Sequence, residues 1–235
     1  MDRLTRKELK SDRFALEVQH SVEYVSVHRQ QLIRWGSIAG GVIVVALAIF
    51  LYRGHEHNVR QEALREAMRI QNANIGPSTN ELLLTFPTAE ARNKAVTKAF
   101  SDLATKYSGS DEALIAQFSL AVNASDEGNA AEAERRLKLV VDSGNDSFGS
   151  LAKLSLAQLY GSQGKSADGE KLIQSVIDHP TILVSKEQAT IALAELLMKS
   201  DPPKARKLLE PLRGNPRSNI SGAAINLLSE MNQNK

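Results

Sequence analysis

Eighteen consecutive residues without a charge, Trp35 to Tyr52, constrain this chain more than any other feature. Arg34 and Arg53 flank the stretch. As a helix with a rise of about 1.5 Å per residue it spans roughly 27 Å, which is close to the hydrocarbon thickness of a bilayer. The alternative, a buried helix of a soluble domain, rarely runs so long without a strongly polar residue. The sequence therefore predicts a transmembrane helix over residues 35–52, with Trp35 and Tyr52 at the two interfaces.

The segment before this helix, residues 1–34, is polar and basic. Its basic residues are Arg3, Arg6, Lys7, Lys10, Arg13, Arg29 and Arg34. No A-x-A-like cleavage site follows the apolar core, which indicates an uncleaved signal anchor. The basic tail favours a cytoplasmic N-terminus and a translocated C-terminal domain. Arginines also follow the membrane helix, from Arg53 to Arg69, so the inverted topology stays open.

Two further patterns lie in this N-terminal region. Phe14, Val18, Val22 and Val25 share one helical face, which fits either an amphipathic helix on the inner leaflet or a loosely ordered tail. Gly36 and Gly40 form a G-x-x-x-G pattern, which lets two helix backbones approach closely. These glycines are candidates for contact with a second copy or with another membrane protein, although the pattern is also common by chance.

Residues 53–87 are predicted to form a helical stalk and a connector. Opposite charges lie three or four residues apart in Glu62-Arg65-Glu66-Arg69, which favours a helix. Ile75-Gly76-Pro77-Ser78 ends the stalk. The connector, Glu81 to Pro87, is expected to pack on the first helices of the domain that follows.

Residues 88–235 repeat with a period of 36. A small residue, an aliphatic residue four positions later and a second aliphatic residue three positions after that recur in three copies: Ala133, Leu137 and Val140; Gly169, Ile173 and Val176; Ala205, Leu209 and Leu212. A period in the mid-thirties built from two short amphipathic helices is typical of a helical solenoid. We therefore predict an all-α fold of three to four helical hairpins, closed by a capping helix over residues 219–232.

The repeat resembles the tetratricopeptide repeat. The middle copy carries the pattern most fully, as Leu156-Ala157-x-x-Tyr160-x-x-x-Gly164. The sequence departs from the tetratricopeptide repeat pattern at three points. Gly169 replaces the usual alanine and is expected to weaken its helix slightly, Ala124 replaces a tyrosine, and the third copy lacks the turn glycine.

The layout as a whole resembles the YfgM-type family of membrane-anchored tetratricopeptide-like proteins, ancillary subunits of the bacterial SecYEG translocon. The shared features are a polar tail, a Gly-rich anchor, a charged stalk and a few degenerate repeats. The resemblance implies an inner-membrane protein with a periplasmic domain, whose protein partners are the Sec translocon, emerging chains or periplasmic chaperones.

Composition and motifs argue against an enzyme. The net charge is only +2, which argues against nucleic-acid binding, and there is no cysteine. The chain contains no G-x-x-x-x-G-K-[ST], H-E-x-x-H or G-x-S-x-G motif. We therefore expect no catalytic residue, no metal site and no cofactor.

Protein binding is the function that the repeats favour. By the resemblance, the first helix of each pair lines a concave groove, with these candidates: Ile115, Phe118, Val122, Leu151, Leu154, Gln158 and Thr190. They predict a groove for apolar or extended segments. Ser119 and Ser155 stand where a carboxylate-binding clamp would have asparagine. The alternative is that Phe118 and Leu154 simply belong to the core. A second hypothesis is a self-associating scaffold, or a fixed subunit of a larger membrane complex.

Overall fold

The computed structural model describes residues 29–77 and 84–233. Its first element is one long helix, α1 (Arg29–Gln71). By length and composition α1 is a candidate membrane span, and none of its most apolar window is buried. Large side chains such as Trp35, Val42 and Phe50 are all exposed. The predicted tail helix, with Phe14, Val18, Val22 and Val25, lies outside the described residues.

The chain divides into two compact units, Met1–Val59 and Arg60–Lys235, so the boundary falls within α1. The first unit contains the apolar stretch. The second contains the last turns of α1, where Leu64 and Ala67 are buried against α2 and α3. The segment predicted as a stalk thus contributes core residues from its C-terminal half. The predicted domain limits after residues 34, 52 and 87 stay predictions.

A short parallel bridge follows α1. Strand β1 (Asn74–Ile75) pairs with β2 (Thr85–Phe86), in the register Asn74 to Thr85 and Ile75 to Phe86. The bridge joins the predicted end of the stalk, in β1, to the predicted connector, in β2. Leu82 and Leu83 of that connector lie outside the described residues. The part of the chain that the structure describes has no strand besides these two.

Eight helices complete the second unit. They are α2 (Ala89–Lys106), α3 (Asp111–Asp126), α4 (Ala130–Val141), α5 (Asp146–Ser162), α6 (Ser166–Asp178), α7 (Lys186–Leu197), α8 (Pro202–Leu209) and α9 (Ser218–Gln233), with a 3-10 turn at Glu210–Gly214. The sequence specifies several of their first turns. Ser110 caps α3, and Ser185 forms a capping box with Gln188 at the start of α7. Gly128 and Gly164 take a positive φ in the turns of the first two hairpins, where other residues would be strained.

Consecutive helices pack as antiparallel hairpins, α3 with α4, α5 with α6 and α7 with α8. The first helices also contact one another along the stack, α3 with α5, α5 with α7 and α7 with α9. All the repeating small residues are buried, and so are the aliphatic residues that follow them, except that Leu212 is half-buried. The predicted all-α fold of helical hairpins with a capping helix is confirmed, and α9 is that helix.

Gly169 has a packing role that the sequence pattern did not indicate. A Cβ atom at this position would lie 2.8 Å from the carbonyl oxygen of Ala157 and 3.1 Å from Cδ2 of Leu196. No real Cβ approaches an oxygen that closely, so only glycine lets α6 cross α5 at this separation. The intrinsic cost of glycine in a helix is real, but the close helix crossing requires it.

Candidate functional site

The described part of the second unit has a cleft of about 900 Å³. Five helices form its wall: the C-terminal ends of α5, α7 and α9, and the first turns of α6 and α8. The volume falls in the range of about 300–1,000 Å³ that is usual for ligand sites. The wall is mainly apolar, with a few charged side chains around it.

Small residues and a rigid helix start shape this cleft. Leu196 fills the space beside Gly161, where a Cβ would lie 2.5 Å from the leucine Cδ1. On the other side, Asp201 caps α8 by accepting a hydrogen bond from the Lys204 N–H at 3.1 Å. Pro202 and Pro203 occupy the first turn of α8, where their fixed φ angles suit a helix start. The packing beside Gly161 and the capped start of α8 therefore hold the backbone around the cleft in place.

Four charged residues line the cleft, two acidic and two basic. The side-chain carboxylates of Glu195 in α7 and Glu230 in α9 form no hydrogen bond or ion pair with any residue in the described ranges. Burial by surrounding protein raises the pKa of Glu195, and the negative charge of Glu230 raises it further. Arg206 donates from Nη2 to Oδ1 of Asn232 at 2.7 Å, and Lys199 pairs with neither carboxylate. The cleft therefore contains two carboxylates, neither of which is in an ion pair with a described residue.

Of the seven predicted groove residues, Gln158 lines this cleft. Four of the others are half-buried and pack on core clusters: Ile115 against the cluster around Phe100, Phe118 against the cluster of α3, α4 and α5, and Leu151 and Leu154 against the C-terminal cluster. Val122 is exposed, and the Thr190 hydroxyl donates to the carbonyl oxygen of Lys186 at 2.8 Å. A shared groove of these seven residues stays a prediction.

The acidic residues of the cleft were not predicted from the sequence. Glu195 is one acid within an otherwise apolar helix segment, Ile191-Ala192-Leu193-Ala194-Glu195-Leu196-Leu197. That isolated charge was the available signal. Glu230 carried no comparable signal, because α9 lies beyond the third repeat and its polar residues look like ordinary solvent-facing ones.

The predicted transmembrane contact residues are open on their helix. A Cβ built on Gly36 or Gly40 meets no atom within 4 Å. Contact of another helix with these positions stays a prediction. Elsewhere in the described ranges, no group of three or more His, Cys, Asp or Glu side chains is placed to hold a metal ion.

A family model described as a tetratricopeptide repeat-like domain matches residues 33–180, from the apolar part of α1 to just past α6. Comparisons with curated proteins and with solved structures gave no match. Domains of this kind are typically non-catalytic and mediate contacts between proteins. The match covers more than half of the chain, so the chain belongs to the tetratricopeptide repeat-like domain family.

Proposed function

We propose that this protein is a non-enzymatic, membrane-tethered interaction module whose repeat domain lies in the periplasm and serves protein export or chaperoning at the translocon. One observation carries the proposal: a single chain combines an unburied apolar helix, long enough to cross a membrane, with a stack of repeat-like hairpins. An unburied stretch of this length needs an apolar environment. The repeats supply a surface for other proteins.

The direction of insertion is supported by charge. The tail of residues 1–34 carries seven basic side chains, and short basic segments next to a membrane helix stay on the cytoplasmic side. In this orientation the protein is anchored in the bacterial inner membrane, and its repeat domain lies in the periplasm. The absence of cysteine is compatible with that compartment.

The link to export rests on the resemblance to the YfgM-type family. A tether keeps the repeat domain close to the membrane, where translocated chains emerge. The proposed partners are therefore the Sec translocon and periplasmic chaperones. The protein itself carries out no reaction in this role.

Site-specific photo-cross-linking in native membranes tests the proposal. A photoreactive residue is placed at Gln158, which is exposed and lines the cleft, and for comparison at Lys98, an exposed residue of α2. We expect adducts with Sec components or periplasmic chaperones from position 158 and few from position 98. A periplasmic reporter fused after Lys235 checks the compartment. A reporter that works only in the cytoplasm, or the capture of neither partner class, would contradict the proposal.

A second function, as a scaffold or a subunit of a larger membrane complex, is favoured by the open face at Gly36 and Gly40. Close helix contact at such a face would assemble the protein through its membrane helix. The mass of the intact protein in mild detergent tests this role, with the Gly36→Ile and Gly40→Ile variants for comparison. An oligomer that dissociates in both variants supports it, and a monomer in every case excludes self-association through these glycines.

A further inference from the structure

We infer that the cleft among α5–α9 binds a polypeptide segment of another protein in which an apolar side chain stands next to a lysine or arginine. The inference rests on the proposed interaction function and names the chemistry of the partner. It follows from three features of the cleft: an apolar wall, two carboxylates that form no ion pair with a described residue, and two basic side chains that are not paired with them.

The apolar wall supplies the first part of the specificity. Leu196 and Leu227 are half-buried, and Met231 is almost fully buried, so the wall combines fixed leucine surface with an adaptable thioether. Partial exposure leaves apolar surface for a ligand to cover. A leucine-sized side chain gains affinity when it removes such surface from water.

The two carboxylates supply the second part. Glu195 and Glu230 come from different helices and line the same cleft. Burial raises the pKa of Glu195, and the charge of Glu230 raises it further. Both side chains are exposed, and two like charges in one cleft repel each other, so an incoming cation relieves that repulsion. An ammonium or guanidinium group also supplies the hydrogen-bond donors that both carboxylates lack within the described chain.

Neither basic residue of the cleft is paired with these two carboxylates. Arg206 is held by Asn232, and Lys199 forms no ion pair with either glutamate among the described residues. A segment with an acidic residue beside its apolar side chain would place a third negative charge near Glu195 and Glu230. The cleft therefore discriminates between basic and acidic neighbours of the same apolar anchor.

Fluorescence anisotropy with the full-length protein in lipid nanodiscs tests the inference. Three short labelled peptides share a Gly-Ser background and differ only in a central pair, Leu-Lys, Leu-Gln or Leu-Glu. We expect the Leu-Lys peptide to bind tightest and the Leu-Glu peptide weakest. Added salt should narrow the difference, since it screens exposed charges.

Substitutions then test whether Glu195 and Glu230 cause the preference for the Leu-Lys peptide. Glu195→Gln combined with Glu230→Gln should weaken binding of the Leu-Lys peptide about tenfold and leave the Leu-Gln peptide unchanged. Glu127→Gln, which removes an exposed carboxylate at the end of α3, is the matched control and should change neither. Circular dichroism checks that each variant keeps its helices.

The outcomes separate the two proposals. Equal affinity for the Leu-Lys and Leu-Glu peptides, or a preference that survives the double substitution, would overturn the charge selectivity while leaving the interaction function standing. Binding of none of the peptides would overturn the cleft as a peptide site. The interaction function itself fails only in the membrane cross-linking experiment.

Discussion

Glu112, in the first turn of α3, lies 3.3 Å from Arg60 in α1, measured from Oε2 to Nε, and its side chain is only 3% exposed. Its other oxygen, Oε1, accepts a hydrogen bond from Nε2 of Gln61 at 2.7 Å. One carboxylate therefore joins two consecutive residues of α1 to the start of the first repeat hairpin. Both sides of this connection belong to the second compact unit.

Replacing this carboxylate should destabilise the repeat domain. Glu112→Ala removes a 3% exposed carboxylate that pairs with Arg60 and accepts from Gln61, so we expect the free energy of unfolding to fall by about 2–3 kcal/mol. Urea unfolding of the full-length protein in mild detergent, followed by circular dichroism, measures this. Glu62→Ala is the matched control, because Glu62 forms an exposed pair with Arg65 and should cost less than about 0.5 kcal/mol. Equal losses in both variants would contradict this role of Glu112.

A methyl group at Gly169 should destabilise the middle hairpin. Alanine forms helices better than glycine by about 1 kcal/mol, but its Cβ would meet the Ala157 carbonyl at 2.8 Å. The shift of α6 away from α5 outweighs the gain, and we expect Gly169→Ala to lower stability by about 1–3 kcal/mol. Gly222 in α9 has no atom within 4 Å of a built Cβ, so Gly222→Ala should be neutral or stabilising. The same urea experiment compares them, and a stabilising Gly169→Ala would show that the two helices separate at little cost.

The contrast between these two glycines shows what the sequence could and could not predict. The 36-residue period placed Gly169 in the small-residue position together with Ala133 and Ala205, because burial between helices limits side-chain size in every repeat. The same regularity predicted the helical hairpins and the capping helix. Glycine and alanine look interchangeable in such a pattern, however. Only the distance between α5 and α6 shows that one copy has no room for a methyl group.

The candidate cleft was harder to predict than the fold. Its wall joins the ends of helices from successive hairpins, and its volume depends on how Leu196 packs beside Gly161. Glu195 and Glu230 are not related by the repeat period, so no pattern connects them. Gln158 was predicted because it lies on a first helix, but Leu151 and Leu154 on the same helix pack against core. Periodicity identifies the face of a helix that is turned to its neighbours, but it does not show which residues of that face pack in the core and which line the cleft.

Low pH should destabilise the first hairpin, because it protonates Glu132. Hydrogen bonding from Arg135 lowers the pKa of this carboxyl to about 2; burial opposes the change, and the positive charges of Arg136 and Arg135 reinforce it. The Arg135 guanidinium donates to both carboxylate oxygens at 2.7 Å. Since the pKa is lower in the folded state, this stabilisation is complete above the ordinary value of 4.5 and is lost as the pH falls towards 2.

The Glu132→Gln variant tests this dependence. We expect it to be less stable than the wild type at neutral pH by about 1 kcal/mol or less, because the side chain is 30% exposed and solvent screens the pairs. The two proteins should converge between about pH 4 and pH 2. Urea unfolding at a series of pH values measures both curves, with Glu127→Gln as a control that should follow the wild type. A constant difference down to the lowest pH would contradict the assigned pKa.

The loop between α6 and α7 offers a comparison of two neighbouring aliphatic residues. Val184 is 1% exposed, and Ile182, two residues earlier, is 93% exposed. The loop is held by Thr181, whose Oγ1 accepts from the Val184 N–H at 3.2 Å and lies 2.7 Å from Oγ of the buried Ser150. The Ser150 hydroxyl donates to the Ser147 carbonyl, so the Thr181 hydroxyl donates to Ser150.

This arrangement predicts opposite sensitivities within one loop. Val184→Ala removes two buried methyl groups from the C-terminal core cluster and should lower the free energy of unfolding by about 2 kcal/mol. Ile182→Ala removes a side chain that is already in solvent and should change it by less than about 0.5 kcal/mol. Urea unfolding of both variants measures the difference. A similar loss in both variants would mean that Ile182 is covered in solution. No loss in either variant would mean that the core under Val184 collapses to fill the space.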